Sequence, residues 1–178
     1  MVYVFLANGF EEIEAIAPID ILRRAAIEVK TVGVSGEYVT GAHGITVKAD
    51  ISLDEVDINN AGLIFLPGGM PGTTNLMENK TVEKIILDAN DKGIYISAIC
   101  AAPMILGKLN LLNGRKAVCY PGFEEHLLGA EILNTPVAED GNIITAKGAG
   151  AAHLLGFKLT SLLKDQKTAD TLYSQMQY

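Results

Sequence analysis

Three short apolar runs, Val2–Ala7, Gly62–Leu66 and Ile94–Ile99, each break abruptly into a loop of small residues. Runs of this length without polar alternation suit strands buried on both faces, which belong to parallel sheets covered by helices. The intervening segments supply the cover. Phe10–Ala26, Thr81–Asp91, Ala101–Leu109, Ala151–Leu163 and Thr168–Met176 read as helices, the second with Val82, Ile85, Ile86 and Ala89 on one face. Pro18 inside the first predicts a kink or a slow start, because proline lacks the amide that a helix interior uses. Ile27–Val34 is rich in β-branched residues and reads as another strand, Tyr38–Thr40 and Ile45–Ala49 as short extended pieces, and Lys116–Tyr120 as a short strand. Val137–Ala146 reads as a hairpin about Asp140-Gly141. Strands alternating with helices predict an α/β fold with a mostly parallel central sheet and right-handed crossovers. No linker or repeat divides the 178 residues, so one domain over 1–178 is expected.

Charge and cysteine content narrow the functional classes. With 14 basic against 21 acidic residues the net charge is −7, which gives no electrostatic reason to hold nucleic acid or anionic lipid. No apolar stretch reaches the ~20 residues of a membrane span. Val2–Ala7 is too short, and lacks the basic flank, to be a signal peptide. Cys100 and Cys119 are too few for a disulfide framework and are not spaced as zinc ligands, so a reducing, cytoplasmic compartment is expected. His43, His126 and His153 form no metal pair by spacing, and no metal or cofactor is expected.

In open parallel sheets the ligand site lies beyond the carboxyl ends of the strands, near the switch in strand order. That rule selects the loops after Ala7, Leu66 and Ile99. In the last, Ala98-Ile99-Cys100-Ala101-Ala102-Pro103 puts a cysteine where a buried strand turns straight into a helix, the arrangement of a nucleophile elbow. The helix start is expected to stabilise the thiolate and lower the Cys100 pKa. The same position also suits a buried small apolar residue. The loop Pro67-Gly68-Gly69-Met70-Pro71-Gly72 offers backbone amides to an oxyanion beside Cys100, though alone it also reads as an ordinary Gly/Pro turn. Glu14 shares a helix face with Ala17, Pro18, Ile21 and Ala25, so it projects toward the sheet. A carboxyl buried without a cation tends to stay protonated, and could then donate to a thiolate. The competing reading is a first-turn glutamate bonded to a loop amide. Glu11 lies nearer the helix start and suits its dipole. Cys119 has no elbow context and reads as structural.

Taken in order, these segments resemble the ThiJ/PfpI family. The resemblance runs through Ala7-Asn8-Gly9-Phe10-Glu11-Glu12-Ile13-Glu14, Pro18–Ala25, Leu66-Pro67-Gly68-Gly69, Ala98–Pro103 and Thr145-Ala146-Lys147-Gly148-Ala149-Gly150, nearly the whole chain. It is closer to the deglycase-like branch than to the hexameric, protease-like one. The resemblance implies a flavodoxin-like three-layer sandwich, related to class I glutamine amidotransferases, that forms homodimers through its first helix. It implies that Cys100 is the reactive, oxidisable cysteine, that Glu14 is the protonated glutamate bonded to it, and that the amides of Gly69 and Ala101 form the oxyanion pocket. Two departures bear on mechanism. Tyr120 stands where many members carry a histidine, and Gly148-Ala149-Gly150 replaces Gly-Pro-Gly. A tyrosine, with a pKa of about 10, is a poor base near neutrality. His43 falls where relatives place a basic residue near the dimer interface, from which it could reach the site of a second copy.

The resemblance implies a cysteine-dependent, cofactor-independent glyoxalase III or deglycase acting on methylglyoxal-like dicarbonyls or early glycation adducts. The alternative is a redox sensor or oxidative-stress chaperone built on the same cysteine. Peptidase or amidase activity ranks last, because Tyr120 occupies the place of a base.

Overall fold

The computed structural model describes residues 1–178. In chain order its regular elements are β1 (Val2–Leu6), α1 (Glu12–Arg24), β2 (Val29–Gly33), β3 (Tyr38–Thr40), β4 (Thr46–Lys48), β5 (Ile51–Ser52) and β6 (Leu63–Leu66). They continue with α2 (Gly72–Glu78), α3 (Lys80–Asp91), β7 (Tyr95–Ile99), α4 (Pro103–Lys108), β8 (Lys116–Ala117) and β9 (Glu131–Ile132). The chain closes with β10 (Val137–Asp140), β11 (Ile143–Ala146), α5 (Ala152–Leu163) and α6 (Gln166–Gln175).

Seven strands form the central sheet in the order β10-β11-β7-β6-β1-β2-β5. Every neighbouring pair is parallel except β10 with β11, the hairpin expected about Asp140-Gly141. The five long parallel strands, β2-β1-β6-β7-β11, run in the doubly wound flavodoxin order, and the order reverses between β1 and β6. The expected α/β sandwich is therefore present, and its switch point lies where the loops after Leu6 and Leu66 leave the sheet.

The period-two geometry of a strand divides the core in two. Val2, Val4 and Leu6 of β1 face α1 and α5 with Phe65, Ile99 and Ile144, against Ile19, Leu22, Leu155 and Leu159. Tyr3, Phe5 and Ala7 face the opposite side with Ile64, Ile96 and Ala98, against Leu76, Val82, Ile86 and Ile105. Each strand must be apolar on both faces, which is why these runs lack alternation.

Several expectations are adjusted. The first helix runs unbroken past Pro18, with no interruption there, and begins at Glu12 rather than Phe10. Pro18 packs on α5 at Gly156, where an added Cβ would lie 2.7 Å from Ile21 Cδ1 and 3.2 Å from Pro18 Cα. The Lys116–Tyr120 strand shrinks to β8, because beyond Ala117 the Val118 amide bonds the Thr145 hydroxyl at 2.9 Å rather than a ladder. The Gly/Pro loop after β6 feeds directly into α2, a helix the glycines concealed in the sequence. The small β3–β4 hairpin stands apart from the main sheet and carries His43 in its turn.

Candidate active site

Cys100 is the first residue after β7, and its backbone sits at φ +65°. A non-glycine residue in the left-handed region is strained, and nucleophile elbows hold their reactive side chain in this way. Hydrogen bonds from both sides hold it there. The Cys100 amide donates to the Ala146 carbonyl at 2.9 Å, and the Tyr120 amide donates to the Cys100 carbonyl at 2.8 Å. The thiol is half-buried, whereas Cys119 is buried in the apolar cluster on the other side of the sheet.

Glu14 reaches this elbow from α1 and is only 1% exposed. Its Oε2 accepts the Gly68 amide at 3.0 Å, its carboxyl also accepts from the Ala149 amide, and it is within hydrogen-bonding reach of the Cys100 thiol. Both competing readings of Glu14 thus hold together: it bonds a loop amide and it meets the cysteine. Gly68 is dictated by this crowding, since a Cβ there would collide with Glu14 Oε2 and lie 2.7 Å from Cys100 Cβ. Gly69, at φ +89°, turns the loop so that its amide and that of Ala101 aim at the Cys100 sulfur.

The electrostatics correct one expectation. Burial lifts Glu14 from 4.5 to about 7, helped by the nearby negative charge of Glu11, despite the bonds it accepts. The Cys100 thiol is pushed up to about 12, not lowered. Burial is the largest cause, and the Glu14 carboxylate beside it adds to the effect; the Ala101 and Gly69 amides pull the other way and lose. The helix dipole invoked for a low pKa is weak here, because α4 has only six residues and begins at Pro103. Cys100 therefore rests as a thiol beside a carboxyl poised near neutrality, rather than as a free-standing thiolate.

The remaining predicted residues divide. Tyr120 is tied to the elbow through its amide, and its half-exposed ring lies across Gly148. His43 lies off the elbow: its Nδ1 sits 2.9 Å from Glu12 Oε2 and 3.8 Å from Glu11 Oε2. Burial pulls Glu12 upward, but the His43 ring and the amides of His43 and Ile45 outweigh it, so its pKa falls below the usual range. The bond that its ring donates to Glu12 and the negative charges of Glu12 and Glu11 raise His43 in turn. Glu11, Glu12 and His43 bring one ligand atom each within 4.8 Å of one another, the arrangement in this chain that could grip a cation. Spacing along the sequence hid it, since 31 positions separate Glu12 from His43. The Glu11 Oε2 atom is buried without a hydrogen-bond partner. No helix is long and apolar enough to cross a membrane.

A strained cysteine on an elbow, a buried carboxyl and a ring of amides at a flavodoxin switch point have close parallels. A DJ-1 superfamily protein from Salmonella typhimurium superposes with a TM-score of 0.93 at 34% identity, covering 99% of this chain and 97% of that one. An oxidized Toxoplasma gondii DJ-1 does so at 0.94 and 34%, with the same coverage. In sequence, Drosophila melanogaster protein dj-1beta is 34% identical over 163 residues, 90% of this chain and 87% of that one. The Pyrococcus furiosus protein named deglycase PfpI is 32% identical over 160 residues, 89% of this chain and 96% of that one. Some relatives are longer: the chain spans 39% of the Arabidopsis thaliana DJ-1 homolog B, at 36% identity. The model of the DJ-1/PfpI family matches residues 1–162, and the chain belongs to that family.

Proposed function

We propose that this chain is a cysteine-dependent, cofactor-independent glyoxalase III or deglycase-type enzyme acting on methylglyoxal-like dicarbonyls or their early adducts. The observation that carries the reading is the Cys100–Glu14 pair: a strained thiol beside a carboxyl whose pKa, about 7, suits a general base at neutral pH. Deglycase-named relatives at about 30% identity support an enzymatic role.

In this reading the Glu14 carboxylate takes the thiol proton as Cys100 Sγ adds to the aldehyde carbon, and returns it to the aldehyde oxygen, giving a hemithioacetal. The Gly69 and Ala101 amides steady negative charge as it passes from sulfur to oxygen. Glu14 then moves the C1 proton to C2 through an enediol, while the C1 hydroxyl proton passes to the C2 oxygen, leaving a thioester. Water cleaves the C–S bond, releasing lactate and restoring the thiol. Atoms balance as methylglyoxal plus water giving lactic acid, with no external oxidant or reductant. Lactate release by wild type and Cys100→Ser decides the matter: equal rates would sink the mechanism, and loss in the variant is expected.

A second reading uses the same three groups. Peroxide would convert Cys100 to a sulfinate, whose oxygens would accept from protonated Glu14 and from the Gly69 and Ala101 amides that contact the sulfur. Intact mass after mild peroxide should then rise by two oxygens, on Cys100 and not on buried Cys119.

The chain is also proposed to pair through α1. Ile13 and Ile16 are 51% and 41% exposed on one face of that helix. A dimer mass in solution that falls to the monomer in Ile13→Lys is the expected result, and an unchanged monomer in wild type would refute it.

A further inference from the structure

Gly148 and Ala149 border two spaces. On one side Ala149 donates its amide to Glu14, and a Cβ on Gly148 would lie 4.0 Å from Glu14 Oε1. Both residues also line a groove of about 590 Å³, within the usual range for small-molecule sites. Its wall continues through Tyr120, Pro136, Gly150 and Leu154. Its single charged residue is Lys147, whose Nζ is already bonded to Asn134 Oδ1 at 3.1 Å. The Tyr120 ring and Leu154 are 50% and 41% exposed, so this apolar surface lies open on the far side of the Gly148–Ala149 segment that meets Glu14. The 2.8 Å bond from the Tyr120 amide to the Cys100 carbonyl ties the Tyr120 backbone to the elbow, and its ring packs across Gly148.

A methyl group has about the bulk of one water, about 30 Å³, and leaves such a groove almost empty. We propose that the groove receives the substituent of the substrate, and that the preferred dicarbonyls are 2-oxoaldehydes carrying an aromatic ring. The aldehyde carbon meets Cys100 while the ring lies against Tyr120 and Leu154, where aromatic contact adds to apolar burial. Tyr120 is then a specificity-determining residue rather than a substitute base, which gives a physical use to the family's missing histidine. The chemistry is that of the glyoxalase reading, on which this inference rests. Phenylglyoxal plus water gives mandelic acid: the C–S bond forms at the aldehyde carbon, the C1 proton moves to C2 as the C1 hydroxyl proton moves to the C2 oxygen, and water cleaves the thioester.

Gly150 supplies the test. It lines the groove, has no positive φ, and a Cβ there would meet nothing within 4 Å, so Gly150→Leu fills the space without backbone strain. Wild type should turn over phenylglyoxal with a kcat/KM at least about tenfold above that for methylglyoxal, the discrimination an apolar pocket gives for an added group. Gly150→Leu should bring that ratio toward one, and Leu154→Ala, at an exposed position, should lower it independently of how the first variant folds. A wild-type ratio of one or below, or a ratio unmoved in both variants, overturns the inference while leaving methylglyoxal turnover intact. Titration calorimetry with mandelate and lactate decides the groove without turnover. Mandelate should bind at least about tenfold more tightly than lactate to wild type, and lose that advantage in Gly150→Leu. Equal binding overturns the groove assignment. If neither dicarbonyl is consumed but mandelate binds selectively, the glyoxalase reading fails and the groove stands.

Discussion

Replacing Glu14 by glutamine should change how stability depends on pH more than it changes stability at any single pH. Glu14 is 1% exposed and its pKa is raised from 4.5 to about 7, chiefly by burial. The folded chain therefore keeps a proton that the unfolded chain has already lost across that window. The stability this proton contributes is complete below about 4.5 and is lost as pH rises through about 7, after which both states are ionised. At about 1.36 kcal/mol per unit, the loss is about 3 kcal/mol, and virtual absence of solvent at the carboxyl leaves it undiluted. Glutamine keeps the shape and an acceptor for the Gly68 amide but does not titrate. Urea unfolding of both proteins between pH 4.5 and 8 isolates the effect, since groups that do not interact with Glu14 cancel in the difference. Wild type minus Glu14→Gln should fall by about 3 kcal/mol between pH 4.5 and 7 and then level off. A difference that is flat with pH, or that grows as pH rises, would refute a buried, desolvated Glu14.

Three further outcomes follow from the same contacts. Alkylation of Cys100 by iodoacetamide should keep accelerating well above pH 8, because its thiol is pushed up to about 12; a plateau reached below pH 7 would restore the low-pKa thiolate. Gly68→Ala should abolish lactate formation and lower stability by about 1–3 kcal/mol, as its methyl must displace Glu14 and Cys100; unchanged activity and melting would contradict the crowding described. Gly156→Leu should cost about 1–3 kcal/mol in urea unfolding by prying α5 from Ile21 and Pro18, and a variant as stable as wild type would show that the helices can separate freely.

Much of this architecture is legible in the amino-acid order. The unalternating runs at Val2–Ala7 and Ile94–Ile99 announce strands with two covered faces, and Ile99-Cys100-Ala101 announces the elbow. Glu14 is legible through the apolar company it keeps on its helix face. Other features depend on distant partners. The α2 helix hides behind Pro67–Pro71 because its start is set by tertiary contacts, including the Gly72 amide on the Gly9 carbonyl at 3.2 Å. Continuity through Pro18 depends on α5, which local propensity does not include. The direction of the Cys100 shift is not legible, because a helix start is visible in sequence whereas burial and the length of α4 are settled by the fold. The Glu11–Glu12–His43 cluster needs the β3–β4 hairpin folded over α1.

The two bonds that pin Cys100 have a temporal consequence. One partner, Ala146, lies on β11, and the other, Tyr120, lies beyond α4. Glu14 and the Gly68 amide come from the part of the chain that precedes Cys100. The reactive centre is therefore closed by contacts of long sequence separation, which form only once their loop-closure entropy is met. A nascent or partly unfolded chain carries an ordinary, unstrained cysteine, and the elbow's special geometry is switched on only when the last parallel strand docks. Thiol reactivity should thus report global folding in a single cooperative step, and the chain exposes its chemistry only once the sheet that controls it is complete.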